Sequence, residues 1–322
     1  MLLKKTAANS AMDKTFLALG TINNIRIFDN KKGKVLEKAI RRVAEIEDRM
    51  SAFMPESDIS KINRHAGCGF QKIHEDTFNL IRKAIEFGTL SNGAFDITVR
   101  PLVELWGINK KGDFVPSDAE IQEVLRLVNY QDVILDENIL GVSLKKPGQL
   151  LDLGGIAKGF AADEVKRILL ENGIQSAMIN LGGNVMAIGN RPDGQMWQIG
   201  IQNPLAPSGQ YLGILSATDK TIVTSGSNER FFIKDGIRYH HIFDPRTGRP
   251  ADSSLLSVTA VCSSSTEADA LTTALFILGP VKSLLLRSKT RAEVIFAGEN
   301  RSVTVSQGLK DHFKLLQEGE SI

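Results

Sequence analysis

The stretch "LDLGGIAKGFAADEVKRILLENG" (151–173) decides how the rest of the chain is read. An extended run delivers the backbone into Gly154-Gly155, Lys158-Gly159 opens a helix, and Asn172-Gly173 ends it. Glycines let a backbone approach a ligand closely, and a helix N-terminus with a lysine favours anionic oxygen. The spacing fits neither a Walker A loop nor a dinucleotide-binding fingerprint, so the residues alone fit a structural glycine turn equally well.

Upstream, residues 15–29 alternate as one strand, and residues 34–50 form an amphipathic helix with Leu36, Ile40, Val43 and Ile46 on its apolar face. "SAFMPESDISKIN" (51–63) reads as a loop, and a second helix runs from about Asp76 to Thr89 before "SNGAFD" breaks it. Ser117 and Glu120 form a capping box opening a helix through Val128, and 132–135, 142–144 and 150–153 are strand-like.

Downstream, "SAMINLGGNVMAIG", "WQIGIQ", "YLGILSA" and "TIVTSG" are strand-like, and "RFFIKDGIRYHHIF" (230–243) is a hairpin turning at Asp235-Gly236. Ser264 and Glu267 make another capping box, with a helix to Leu278 stopped at Gly279-Pro280. Strands, hairpins and helices interleave. The pattern predicts an α+β (mixed α/β) fold with mixed, largely antiparallel sheets covered by helices.

Of the 322 residues, 42% are hydrophobic and 24% charged, with a formal net charge of +2. That balance argues against nucleic acid or a membrane as the main partner. Long basic runs are absent; the densest, Lys31-Lys32-Gly33-Lys34, reads as a solvated loop before a helix. No segment approaches the roughly 20 apolar residues of a membrane span. Lys4-Lys5 has no apolar run after it, so residues 1–14 read as an N-terminal extension, residues 15–322 as one domain, and the chain as cytoplasmic. Cys68 and Cys262 lack metal-binding spacing and read as two buried thiols.

Three further constellations carry chemistry. In "SSSTEADALTTALF" (263–276), Asp269 and Thr273 are four residues apart and share a helix face. A carboxylate and a hydroxyl there suit a hard cation such as Mg²⁺; equally, Asp269 suits the positive helix end and Thr273 a bond to its own helix. In "IRYHHIFDPRTGRPA" (237–251), His240 and His241 point to opposite faces of a strand, so only one can serve a given site as a base. In "TIVTSGSNERFF" (221–232), Thr224, Ser225 and Gly226 suit hydrogen bonds to phosphate or to a ring edge, and also a plain turn.

In this order the blocks resemble the ApbE-type flavin transferase family over about residues 17–298. They are "MSAFMPESDISKIN", "GAFDITVRPLVELWG", "LDLGGIAKGFAAD", "INLGGNVMAIG" with "WQIGIQNP", "TSGSNERFF", "HHIFDPRTGRPA" and "ADALTTALFILG". The resemblance implies an ApbE-like fold and a Mg²⁺-dependent FAD:protein FMN transferase. Such an enzyme joins FMN through a phosphoester to a Ser/Thr of a target flavoprotein and releases AMP. It further implies metal ligation by Asp269, Thr273 and the carbonyl of Gly155, and His241 as the base that also meets FAD. FAD contacts fall to Met50, Ser51, Phe53, Asp96, Gly154, Lys158, Thr224, Ser225 and Gly226. This chain departs from many relatives in carrying Phe53 in place of a flavin-covering tyrosine, and Ser227-Asn228 where acidic and aromatic residues are common. The alternatives are a Mg²⁺-dependent FAD pyrophosphatase, which would use nearly the same site, and a non-catalytic FAD-binding protein, which would need neither a metal nor a base and which Asp269, Thr273 and His241 argue against.

Overall fold

The computed structural model describes residues 11–29, 33–108 and 110–317. Residues 1–10 of the extension, and Lys31-Lys32 of the basic run, lie outside the described residues. The central element is an eight-stranded sheet. In spatial order it runs Met12–Ala18, Thr21–Ile27, Ala177–Leu181, Asn184–Ile188, Thr221–Gly226, Leu255–Cys262, Glu293–Gly298 and Val303–Val305. Every strand pairing among the described residues is antiparallel.

Three helices, Gly33–Met50, Ala157–Glu171 and Ser265–Lys282, pack side by side over one face. Leu36, Val43 and Ile46, Val165 and Ile168, and Leu271 and Leu275 drop from them onto Ile25, Ile179 and Val258 of the sheet in one core. The other face is covered by the antiparallel sheet Trp197–Gln202, Tyr211–Ala217 and Phe313–Leu315, whose Trp197, Ile199 and Leu215 meet Ile222, Val261 and Ile295. With both faces covered, every residue of Leu255–Cys262 is buried, and its sequence is apolar or small throughout rather than alternating.

Local differences from the sequence reading have physical causes. Residues 15–29 are not one strand but the second half of a hairpin arm, a turn, and the return strand. Leu19 (φ 55°) and Gly20 (φ 67°) make that turn, which a leucine does not advertise. The loop at 51–63 contains the helix Asp58–Arg64, started by Ser57, whose hydroxyl accepts from Ser60 N at 3.0 Å. Residues 150–153 join no sheet. The Ser117–Glu120 capping box is present in full, although its helix ends at Leu125. At the second box only the Ser264 half forms, because the Glu267 carboxylate lies beside Lys83 instead. The helix from Ser265 breaks at Gly279 (φ 70°), as expected of Gly-Pro, and resumes for one turn. Cys262 is buried and its thiol pushed up to about 12 by that burial, but Cys68 is exposed, contrary to the expectation for both.

Candidate active site

The glycine turn, the start of one covering helix and the first turns of another meet at the end of strand Thr221–Gly226. Their contact depends on glycine. A Cβ at Gly159 would lie 2.2 Å from the Ser265 carbonyl oxygen and 2.8 Å from Asp269 Cβ, so only glycine lets the two helices approach this closely. The same close contact lets Gly159 N–H donate to Asp269 Oδ2 at 2.9 Å. Asp163, one helical turn on, caps the other helix. Its carboxylate accepts from Ser265 N (2.8 Å) and Thr266 N (2.9 Å) and from the hydroxyls of Ser264 (2.9 Å) and Thr266 (2.7 Å). These bonds fix the axial position of the helix that carries Asp269 and Thr273.

Asp269 is only 4% exposed, and Lys158 Nζ stands 3.8 Å from its Oδ1. Lys158 also donates to the Gly154 carbonyl at 3.0 Å, and Gly154 N–H donates to Asp152 Oδ1 at 2.8 Å. The turn is therefore clamped on both sides of Gly154. A Cβ built on Gly155 would lie 3.6 Å from Thr273 Oγ1 and 3.1 Å from the Phe95 ring, which puts the turn beside the half-buried Thr273 hydroxyl. Thr272, not Thr273, bonds back into its own helix, donating to Asp269 O at 3.0 Å, and it accepts from Ser225 Oγ at 2.9 Å.

The adjacent histidines divide as their alternation requires. His240 is buried; its Nδ1 accepts from Ile242 N at 3.2 Å, which leaves Nε2–H to donate to Ala251 O at 3.0 Å. Both nitrogens are thus used structurally. His241 faces the other way, half-buried, with Nδ1 3.3 Å from Arg230 O. A carbonyl can only accept, so Nδ1 holds the proton and Nε2 keeps its lone pair. Burial, together with the nearby charges of Arg230 and Lys158, pushes this imidazole down to about 4. Lys158 therefore links His241 electrostatically to the Asp269 end of the site.

The other expected contacts are less uniform. Ser225 and Thr224 point to opposite faces of their strand. Ser225 reaches the helix that carries Asp269, whereas Thr224 Oγ1 bonds Thr259 Oγ1 at 2.8 Å on the other face. Gly226 is buried where a Cβ would meet Asn228 Oδ1 at 2.5 Å. Met50 is the last residue of its helix and 3% exposed in the core, so its side chain is given to packing. Ser51 Oγ accepts from Phe53 N at 3.2 Å, and Phe53 itself is 67% exposed with the Arg100 guanidinium 4.4 Å from its ring centre. Asp96 is buried, and its oxygens accept from Thr98 N (2.7 Å), Thr98 Oγ1 (2.6 Å) and Tyr130 N (2.9 Å); burial raises its pKa. That carboxylate holds a loop together. Asp163, Asp152 and Arg100 escaped the sequence reading. Only Asp152, two residues before a glycine, had a local signal.

A model described as the ApbE family matches residues 19–296. The chain belongs to the ApbE family. The FAD:protein FMN transferase of Klebsiella pneumoniae (strain 342) is 37% identical over 286 residues, which is 88% of this chain and 89% of that protein. The FAD:protein FMN transferase of Treponema pallidum (strain Nichols) is 33% identical, over 93% of this chain and 88% of the relative. Membership makes the chain a transferase. Among solved structures, the ApbE protein of Thermotoga maritima superposes with a TM-score of 0.86 at 33% identity, over 94% of this chain and 99% of the other. The flavin transferase ApbE of Vibrio cholerae gives 0.82 at 28% identity, with the same coverage. The α+β architecture read from the sequence is that of the family. Among the described residues, no helix is long and apolar enough to cross a membrane.

Proposed function

We propose that this chain is a Mg²⁺-dependent FAD:protein FMN transferase. It moves the FMN half of FAD onto a Ser or Thr hydroxyl of a target flavoprotein and releases AMP. The observation that carries this reading is the meeting of three features: a glycine turn, a buried carboxylate–threonine pair on one helix face, and a histidine with a free Nε2.

The donor set fits a hard cation. Among the described residues no group of three or more His, Cys, Asp or Glu is placed to hold a metal ion, so the donor set is not of the zinc type. Asp269 Oδ1, Thr273 Oγ1 and the Gly155 carbonyl are hard oxygens, and Mg²⁺ commonly binds with one carboxylate while phosphate and water complete its shell. Lys158 already sets a positive charge beside Asp269, so the pocket accepts cationic charge next to a buried carboxylate. When bound there, Mg²⁺ would neutralise pyrophosphate oxygens and the developing charge on AMP.

The chain's own residues account for the rest. Lys158 and the helix start at Ala157 favour the diphosphate. Ser225 lines the same side, while Gly154, Gly226 and the loop with Ser51 and Phe53 border the nucleotide and flavin. His241 Nε2 takes the proton of the acceptor hydroxyl. That oxygen bonds to the FMN-side phosphorus as the bond from phosphorus to the AMP oxygen breaks, and the proton passes from His241 to AMP or water. Because burial keeps His241 neutral, Nε2 is available at neutral and mildly acidic pH.

The test is to incubate the chain with FAD and Mg²⁺, with and without an acceptor domain carrying a Ser/Thr motif, and to measure AMP. Acceptor-dependent AMP release that stops with EDTA supports the transferase. AMP and free FMN formed equally without acceptor would make it a pyrophosphatase, and no AMP would make it a binding protein.

A further inference from the structure

Arg100 opens the short helix Arg100–Trp106 and is 8% exposed, an unusual place for a guanidinium next to an open surface. Its three contacts explain the burial. Nε donates to Glu104 Oε1 at 3.0 Å, Nη1 lies 3.3 Å from Asp152 Oδ2, and the guanidinium carbon sits 4.4 Å from the centre of the Phe53 ring. Of the two cations over the exposed Phe53 ring, Arg100 is the nearer and the buried one. Arg100 lies against the ring and Lys110 Nζ stands 5.2 Å from its centre, yet Phe53 remains 67% exposed, which leaves ring surface for a planar ligand. A recess of about 250 Å³, lined by Ala52, Asn63, Arg64, Arg100 and Leu150 among others, adjoins it.

Asp152 is the second half of the connection. Its Oδ2 meets Arg100 while its Oδ1 accepts from Gly154 N–H. Gly154 O in turn accepts from Lys158, which faces Asp269. Phe53, Arg100, Asp152, Gly154, Lys158 and Asp269 thus form one unbroken series of contacts from the exposed ring to the buried carboxylate. We infer that Arg100 is a positioning residue: it ties the aromatic platform at Phe53 to the Gly154-Gly155 turn, so that flavin stacking and cation binding favour each other. This rests on the transferase reading only in taking the ligands to be a flavin and a divalent cation.

Coupling of this kind is reciprocal and is read as a change in affinity. The probe is riboflavin, which carries the flavin ring but no phosphate for a metal ion to touch. Its affinity for the full chain is measured by flavin fluorescence with and without Mg²⁺, in wild type, Arg100→Gln and Arg100→Lys. In wild type, Mg²⁺ tightens riboflavin binding about fivefold, at the lower end of usual site-to-site coupling. In both variants the factor falls to about one, because lysine keeps the charge opposite Asp152 but not the planar face over Phe53. A fivefold effect persisting in Arg100→Lys with a wild-type thermal melt overturns the proposal. So does riboflavin that fails to bind wild type, or binds it equally with and without Mg²⁺. AMP release by the wild type reports separately on the transferase reading, so the two can fail independently.

Discussion

The site joins two regions built on opposite plans. At the helix junction, Gly159, Asp163, Asp269 and Thr272 are held by backbone contacts and short hydrogen bonds in a packed interior. At the rim, Phe53 and the turn end of the hairpin Phe231–His240 face solvent, with Phe53, Ile233 and Ile237 more than half exposed. The difference assigns work. Under the proposed function, groups that bind a small hard cation need fixed distances and would come from the core, whereas surfaces that receive a flavin and a protein chain need access and would come from loops. His241 sits at the seam, at the foot of the exposed hairpin but buried enough to lose its proton readily.

Substitutions can sharpen or break this division. The largest effect is expected for Asp269→Ala. Mg²⁺-dependent AMP release should fall about a thousandfold, equivalent to several kcal/mol of transition-state stabilisation, well beyond the roughly 1–3 kcal/mol of stability lost with the buried Gly159 N–H bond. Unchanged turnover would take the core region out of the chemistry. Gly159→Ala should act on the fold first, destabilising it by on the order of 3 kcal/mol because its Cβ would overlap the Ser265 carbonyl. A melt equal to wild type would mean that the junction is not tight.

His241→Ala should keep FAD binding and lose about a hundredfold in transfer, the usual worth of a positioned base. The pH dependence has a definite sign. An imidazole held near 4 stays neutral as pH falls through the range where an ordinary histidine protonates. The acid limb of AMP release should therefore lie near pH 4–5, and a limb near 6.5 would contradict the burial of His241. The same depression means that its contribution to stability is complete above about pH 6.5 and is lost progressively as pH falls towards 4.

His240→Ala is the control within the pair. It breaks two structural bonds and should cost about 2 kcal/mol of stability while leaving the activity of the folded fraction intact. Activity loss beyond the unfolded fraction would merge the two histidines' roles. The smallest effect falls at the rim. Phe53→Ala should raise FAD half-saturation roughly fivefold, the equivalent of about 1 kcal/mol of stacking, without changing the maximal rate. Wild-type half-saturation would remove Phe53 from the flavin site.

The same contrast explains what could be read in advance. Periodic helices, the Asp235-Gly236 turn and the break at Gly279-Pro280 are local rules written in neighbouring residues, and the sequence carries them openly. Asp269 and Thr273 were legible as a pair because helical spacing sets their common face. What joins Asp269 to Gly159 is the packing of helices more than a hundred residues apart, which no local pattern reports. Asp163 caps a helix more than a hundred residues away, which nothing in its own neighbourhood signals. Only the fold brings Asp152 and Phe53 to Arg100. Thr224 and Ser225 read as equivalent hydroxyls, but strand alternation sends them to opposite faces. Leu19 concealed a hairpin because its left-handed backbone is imposed by the flanking strands rather than by its side chain.

The most direct test of the central claim is the intact mass of an acceptor domain after incubation with this chain, FAD and Mg²⁺, read beside AMP from the same tube. A gain of one FMN phosphoryl group per acceptor, matched by AMP and absent with Asp269→Ala, is the predicted result. An unmodified acceptor mass alongside stoichiometric free FMN and AMP would contradict it.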